Sequence, residues 1–310
     1  VRCLAPRKVW RVNEPNPKTG KSKISFKPLR DKSSVAEELL LPCGMCKVCL
    51  LGKARDWSIR CYHEAFMYQK NCFITLTYNN EKLPFNGSLR KDHFQNFMKR
   101  LRKKFKQRTI RYFMCGEYGK KLSRPHYHAL LFNFDFEDKE VFKVTQTGSL
   151  IYRSKTLEKL WQDGYSSIGS ITKKSAGYVA RYTMKKYKGS SLSKDIYYDS
   201  KTPEYSTMSK GKKKDGTSWI GREFIDKYGL SDVYNNDIII IENQVAGKPP
   251  KRYDIHLELT NPELYAYNKK KRKEVVFGVK PYYHTKDIKY AEQYVESITK
   301  QLKRGVEDET

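Results

Sequence analysis

The chain has 310 residues and a formal net charge of +28, with 62 Lys and Arg against 34 Asp and Glu. No apolar run approaches the roughly 18 residues of a membrane span, no signal-peptide pattern opens the sequence, and seven Cys, an odd number bunched toward the N-terminal third, do not form a secreted disulfide framework. Secreted and membrane-spanning classes are excluded, and a reducing cytoplasm is the expected compartment. The charge calls for a polyanionic partner. With 13% aromatic residues, nucleic acid is favoured over a membrane surface, because rings stack on unpaired bases while Lys and Arg neutralise phosphates.

Residues 1–40 read as a basic, extended arm, broken by Pro6, Pro15, Pro17 and Pro28. From Leu50 the apolar positions Leu50, Ala54, Trp57, Cys61 and Ala65 recur at helical spacing and mark one buried stripe. Cys72–Tyr78 is dense in β-branched and aromatic residues and reads as a buried strand. Ser88 is the expected cap of a helix whose inner face is Phe94, Phe97, Met98, Leu101 and Phe105. Its outer face is basic: seven of the ten residues from Lys99 to Arg108 are Lys or Arg. Lys99, Arg100, Arg102, Lys103, Lys104 and Lys106 are the expected contacts to a DNA backbone.

Strands are expected near 109–117, 126–135, 149–153 and 165–171, with helices from about Thr156 to Gly164 and around 174–187. This order predicts an α+β fold, an antiparallel central sheet covered by helices, occupying residues 41–190. Residues 188–218, rich in Ser, Lys and Gly, read as a surface excursion. The rest of 191–310 reads as a basic, helical accessory region that contacts DNA. It has helices near 219–229 and 261–273, a strand at Asp237–Glu242, and a C-terminal helix striped by Ile288, Ala291, Val295, Ile298 and Leu302.

Two constellations carry chemistry. In Arg124-Pro-His-Tyr-His128 the side chains alternate along a strand, so His126 and His128 share one face about 7 Å apart. Such a pair is either strand packing or the start of a divalent-metal site. A hairpin would bring the Glu117 carboxylate beside it, and two imidazoles plus a carboxylate suit Mg²⁺ or Mn²⁺ at a phosphate. In the second constellation Tyr178 and Tyr182 stand four apart on a helix, with Lys185 one turn further on. The pair is either packing or a pair of phenol nucleophiles beside a phosphate-holding cation.

The strand Phe73–Tyr78, the turn Gly116-Glu-Tyr-Gly119, the histidine strand and the Tyr178/Tyr182/Lys185 helix occur here in the order that characterises the His-hydrophobic-His (HUH) endonucleases. Over residues 40–190 the chain resembles, more narrowly, the rolling-circle replication initiators of microviruses. A looser resemblance extends through Pro203–Ser209 and Asn261–Leu264. The resemblance implies a ferredoxin/RRM-like palm and a site-specific nick at the origin of a small circular viral genome. It implies metal ligation by His126, His128 and Glu117, and nucleophilic attack by Tyr178 and Tyr182. The products are a 5′-phosphotyrosyl bond and a free 3′-hydroxyl that primes synthesis, with Lys185 positioning the phosphate. It further implies single-stranded and supercoiled circular DNA as substrates, with a host helicase and polymerase as partners in the host cytoplasm.

Two features stand outside that pattern. Cys43-x-x-Cys46-x-x-Cys49 either holds a structural Zn²⁺, with Cys61, His63 or Cys72 as fourth ligand, or packs at a helix start. Gly211–Ser218 has the glycine spacing of a P-loop, but Thr217 stands where Lys is required, so helicase activity is assigned to another protein. The rival readings are a non-enzymatic single-stranded-DNA-binding or packaging protein, which charge and aromatics alone would explain, and a relaxase or transposase of the same superfamily.

Overall fold

The computed structural model of the protein describes residues 3–15, 22–28, 35–119, 122–146, 148–181, 201–210, 218–277 and 285–301. The chain divides into two compact units, residues 1–52 with 279–303, and residues 53–278 with 304–310.

In the first unit, the segment read as an extended arm folds into a three-stranded antiparallel sheet. Strand β1 (Arg7–Pro15) lies between β2 (Ser22–Ser25) and β3 (Val35–Leu41). Opposite charge sets this pairing. Trp10 faces Glu38 and Arg11 faces Glu37 across the ladder, with ion pairs Lys8–Glu38 at 2.7 Å and Arg11–Glu37 at 2.9 Å. These pairs are exposed, so they select register more than they stabilise. Helix α1 (Lys47–Phe66) begins in this unit.

The second unit is built on a seven-stranded antiparallel sheet. In chain order its elements are β4 (Asn71–Tyr78), α2 (Lys91–Lys104), β5 (Arg111–Tyr118), β6 (Pro125–Phe132), β7 (Lys139–Val144), β8 (Leu150–Ser154), α3 (Lys155–Leu160), β9 (Gly164–Gly169), α4 (Lys173–Arg181) and β10 (Tyr205–Met208). The strand order is β10-β5-β6-β4-β9-β8-β7. Central strands β5, β6 and β4 are covered on both faces and therefore read as almost continuous apolar runs. On one face, Phe94, Phe97, Met98 and Leu101 of α2 and Trp161 after α3 pack on Ile74, Leu76, Tyr127 and Leu131. On the other, Cys61 of α1 and Ala176, Tyr178 and Val179 of α4 pack on Phe73, Phe113, Leu130 and Phe132. Each such large side chain, fully buried, stabilises by about 1.5–3 kcal/mol.

A third core joins α1 to the C-terminal elements α5 (Arg222–Tyr228), β11 (Ile239–Ile241), β12 (Gln244–Gly247), α6 (Lys251–Thr260) and α7 (Pro262–Phe277), through Ile59, Phe224, Ile225, Tyr234, Tyr253 and Leu257. Helix α8 (Thr285–Gln301) completes the described chain. The basic run at the end of α7 is partly structural, because the Arg272 Nη1 donates to Asp254 at 2.8 Å and the same guanidinium pairs with Asp237.

Several details differ from the sequence reading. Ser88 does not cap α2; the N-cap is Arg90, without a side-chain cap, and the Ser88 hydroxyl instead accepts from the Thr202 N–H at 2.8 Å. The excursion over 188–218 contains β10, which pairs with β5 through Tyr205↔Gly116 and closes that edge of the sheet. Strand β7 and helix α6 are additional to the expected elements. Gly164 is required where β9 meets β4: at φ 153°, a Cβ there would lie 2.3 Å from the Thr77 carbonyl oxygen.

A buried ion pair ties α1 to the sheet. The Arg111 guanidinium lies 2.6 Å from Glu64 Oε1, and the Gly221 N–H donates to Glu64 Oε2 at 2.6 Å. Arg111→Ala strands a buried carboxylate and should cost about 3–5 kcal/mol in urea unfolding, while replacing both residues by apolar ones of similar volume should cost far less.

Candidate metal centre and tyrosine site

The polar residues of the sheet interior gather on the α1/α4 face. Strand alternation puts Tyr127 on the α2 side and both His126 and His128 on the other. The β5–β6 hairpin sets Glu117 directly opposite His126, and β4 sets Thr75 opposite His128. Glu117 Oε1 lies 2.8 Å from His126 Nε2 and 2.6 Å from His128 Nε2. It also accepts the Tyr178 hydroxyl at 2.7 Å. Four side chains from three elements thus converge on one carboxylate oxygen.

Each imidazole is held from behind. His126 Nδ1 lies 3.0 Å from the Arg124 carbonyl, which can only accept, so Nδ1 carries the hydrogen and Nε2 is turned to Glu117. Arg124 is itself fixed by donating to the Tyr78 carbonyl at 2.9 Å. His128 Nδ1 meets the Thr75 hydroxyl at 2.9 Å, and its ring stacks on Phe73 with centroids 5.5 Å apart and planes at 7°. Ring orientation by such outer partners is how ligating histidines are prepared. Tyr178 meets His128 edge-on at 5.2 Å, and the Arg181 guanidinium lies 5.8 Å from the Tyr178 ring.

The electrostatics fit a cation. Burial would raise the Glu117 carboxyl, but hydrogen bonds and charge from His126 and His128 outweigh it and hold the group at about 2. It is therefore a carboxylate at neutral pH, although 0% exposed. An imidazole nitrogen and a carboxylate oxygen facing each other at this distance need a proton or a metal ion between them. The ligand atoms of Glu117, His126 and His128 lie within 4.8 Å of one another, and Glu117 Oε2 is buried with no hydrogen-bond partner among the described residues. The donor set of one carboxylate and two imidazoles, with further coordination positions open, suits Mn²⁺ or Mg²⁺.

Comparison with known proteins agrees with a replication role. A family model for replication-associated proteins of the ORF2 type matches residues 71–187, the stretch that holds all four converging side chains. The replication-associated protein VP4 of Bdellovibrio phage phiMH2K is 34% identical over 231 residues, 72% of this chain and 69% of that protein. The replication-associated protein ORF2 of Spiroplasma virus 4 is 34% identical over 253 residues, 76% of this chain and 73% of that protein. The chain belongs to this family of phage replication-associated proteins. The replication-associated protein ORF4 of Chlamydia phage 1 is also 34% identical, over 154 residues that cover 47% of this chain and 38% of that one. No solved structure matches the chain.

In this replication-associated protein, Tyr182 and Lys185, together with the Gly211–Gly216 segment, lie outside the described residues. The basic residues of α2 are divided between two roles. Arg100 Nε donates to the Leu160 carbonyl at 2.8 Å and Arg102 Nη2 to the Ile110 carbonyl at 2.8 Å, so both guanidiniums fasten the fold. Lys99, Lys103, Lys104 and Lys106 are exposed. Because α2 covers the Tyr127 side of the sheet, these four lie on the face opposite the histidines.

Three features are not evident from the sequence. Thr75, which orients His128, carries only a strand signal. Tyr165, 64% exposed, belongs with Thr75, Thr77, Ser167, Phe142 and Arg153 to a groove on the histidine face. Tyr165 pairs with Thr77, which pairs with His126, so it stands two strand spacings from the site, about 10 Å. The third is Cys3, whose sulfur joins those of Cys43, Cys46 and Cys49 within 4.8 Å. Cys61, His63 and Cys72 are not the fourth member. Cys61 and Cys72 are buried in the two sheet cores, and His63 Nδ1 shares a 2.9 Å hydrogen bond with the Tyr253 hydroxyl.

Proposed function

We propose that the protein is a metal-dependent, site-specific single-strand DNA endonuclease and joining enzyme that starts and ends rolling-circle replication of a small circular viral genome. The observation that carries this reading is the tyrosine hydroxyl held 2.7 Å from a carboxylate oxygen that also faces two imidazoles. A phenol has no such reason to enter a purely structural His–Glu cluster. Mg²⁺ or Mn²⁺ held by Glu117, His126 and His128 would polarise the scissile phosphate as a Lewis acid.

The protein's own groups supply the rest. The Tyr178 oxygen attacks phosphorus and gives up its proton, the bond from phosphorus to the 3′ oxygen breaks, and that oxygen leaves protonated. The phosphotyrosine conserves the bond energy, so rejoining needs no ATP. Unwinding and synthesis fall to a host helicase and polymerase in the host cytoplasm. No helix among the described residues is long and apolar enough to cross a membrane.

Incubation with end-labelled circular viral single strands and Mn²⁺ should yield a detergent-stable protein–DNA adduct and a free 3′-hydroxyl. A gel shift without any adduct would identify a binding or packaging protein instead.

The groove at Tyr165 is the proposed path of the single strand into the site. Tyr165→Ala should weaken binding of a short single-stranded oligonucleotide about 5- to 100-fold, the effect of losing one stacked base. Neutralising Lys103, Lys104 and Lys106 on the far face should leave cleavage of that oligonucleotide intact. On long DNA it should flatten the salt dependence of affinity by about one unit of slope per lost phosphate contact. An unchanged slope would remove α2 from the interface.

A further inference from the structure

The four clustered sulfurs lie apart from the histidine site in sequence and are used by nothing above. Their assembly follows from the first unit's topology. Arg7 at the start of β1 pairs with Leu41 at the end of β3, which brings Cys3, just before the one, to Cys43, just after the other. Cys46 and Cys49 follow at the entry to α1. We propose that Cys3, Cys43, Cys46 and Cys49 together hold one Zn²⁺, a structural site that pins the N-terminal strand to the entry of α1.

Geometry is the first support. A tetrahedral ion with zinc–sulfur bonds of about 2.3 Å has sulfur–sulfur edges of about 3.8 Å. The Cys3 and Cys46 sulfurs are 3.8 Å apart. That separation is far beyond the roughly 2.05 Å of a disulfide, and all four cysteines are free thiols. It also suits a single ion, whereas a multi-iron cluster would hold its thiolates further apart around several metal atoms.

Backbone donors are the second support. The Cys43 N–H donates to the Cys3 sulfur at 3.2 Å, and the Met45 and Cys46 N–H groups donate to the Cys43 sulfur at 3.4 and 3.2 Å. Such donors disperse the charge that four thiolates place on one ion. Gly44, at φ 74°, makes the turn that aims them.

Need is the third. Among the described residues of this unit, the buried apolar side chains are Leu4, Val9, Leu50, Ala291 and Val295. A core that small is commonly completed by a metal or a disulfide. Zinc has no redox chemistry to perform and accepts a closed all-thiolate set, which is the signature of a structural site.

Full-length protein purified without chelator should carry about one equivalent of zinc, and His126→Ala/His128→Ala should carry the same, which separates this site from the histidine centre. Cys3→Ser should lose the metal and melt earlier. Cys3→His, which restores a Cys₃His set, should retain it. Co²⁺ exchanged into the wild type should show intense sulfur-to-metal charge transfer. The proposal is overturned by metal-free wild-type protein, by zinc undiminished in soluble Cys3→Ser, by iron in place of zinc, or by disulfides in the non-reduced mass. If Cys3→Ser does not fold, the wild-type metal content and the cobalt spectrum decide between these outcomes.

Discussion

His126→Ala should abolish strand cleavage in Mn²⁺ while leaving affinity for single-stranded DNA within a few-fold. Binding is supplied mainly by the +28 charge, which a neutral imidazole does not change. Cleavage depends on a ligand whose Nε2 lies 2.8 Å from Glu117 Oε1. A Lewis-acid metal contributes several kcal/mol of transition-state stabilisation, and each 1.4 kcal/mol is tenfold in rate, so a loss of at least about a thousandfold is expected. His126 is the cleanest position for this test, because its side chain keeps 13% exposure whereas His128 keeps 2%. Loss of activity in His128→Ala therefore needs a circular-dichroism control. Glu117→Gln should be as damaging as either histidine variant, since it keeps the shape and removes the anion that the cation needs. Full cleavage in excess EDTA, or wild-type rates in Glu117→Gln, would remove the metal centre from the mechanism.

The site was legible in the sequence to the extent that it rests on local periodicity. His126 and His128 declare a shared face through strand alternation, and Glu117 is nine residues away across one hairpin. Tyr178 shows its helical stripe, but its contact with Glu117 spans 61 residues and depends on how α4 lies over the sheet. Cys3 fails for the same reason in stronger form. Its nearest partner in sequence is 40 residues on, and only the β1–β3 register brings them together. Strand β10 has four residues, too few for a period, and its pairing reaches back some 90 positions to β5. Arg100 and Arg102 show the opposite error. A basic helix face announces charge, yet nothing local reveals that the Leu160 and Ile110 carbonyls stand within reach of two of its guanidiniums.

Tyr178→Phe should leave some cleavage but stop complete rounds that release closed circles. One nucleophile can open a circle. Finishing a round requires a second transfer while the first DNA end is still held, so that the newly freed 3′-hydroxyl can attack the old phosphotyrosine. Tyr178 is 1% exposed and its hydroxyl already donates to the carboxylate of the metal centre. In the Phe variant the first cut falls to Tyr182, four residues further on, and no free phenol then remains for the second. Because Phe keeps the ring against His128, packing is preserved and only the 2.7 Å hydrogen bond to Glu117 is lost, a net cost of about 1–2 kcal/mol. Mass spectrometry of the digested adduct should find DNA on Tyr178 or Tyr182 in the wild type and on Tyr182 alone in Tyr178→Phe. Replacing both by Phe should eliminate the adduct while DNA binding and the melting curve persist. An adduct in the double variant would mean that another residue attacks. Wild-type circle release by Tyr178→Phe through many rounds would make Tyr178 a positioning residue for Glu117 and leave Tyr182 as sole nucleophile.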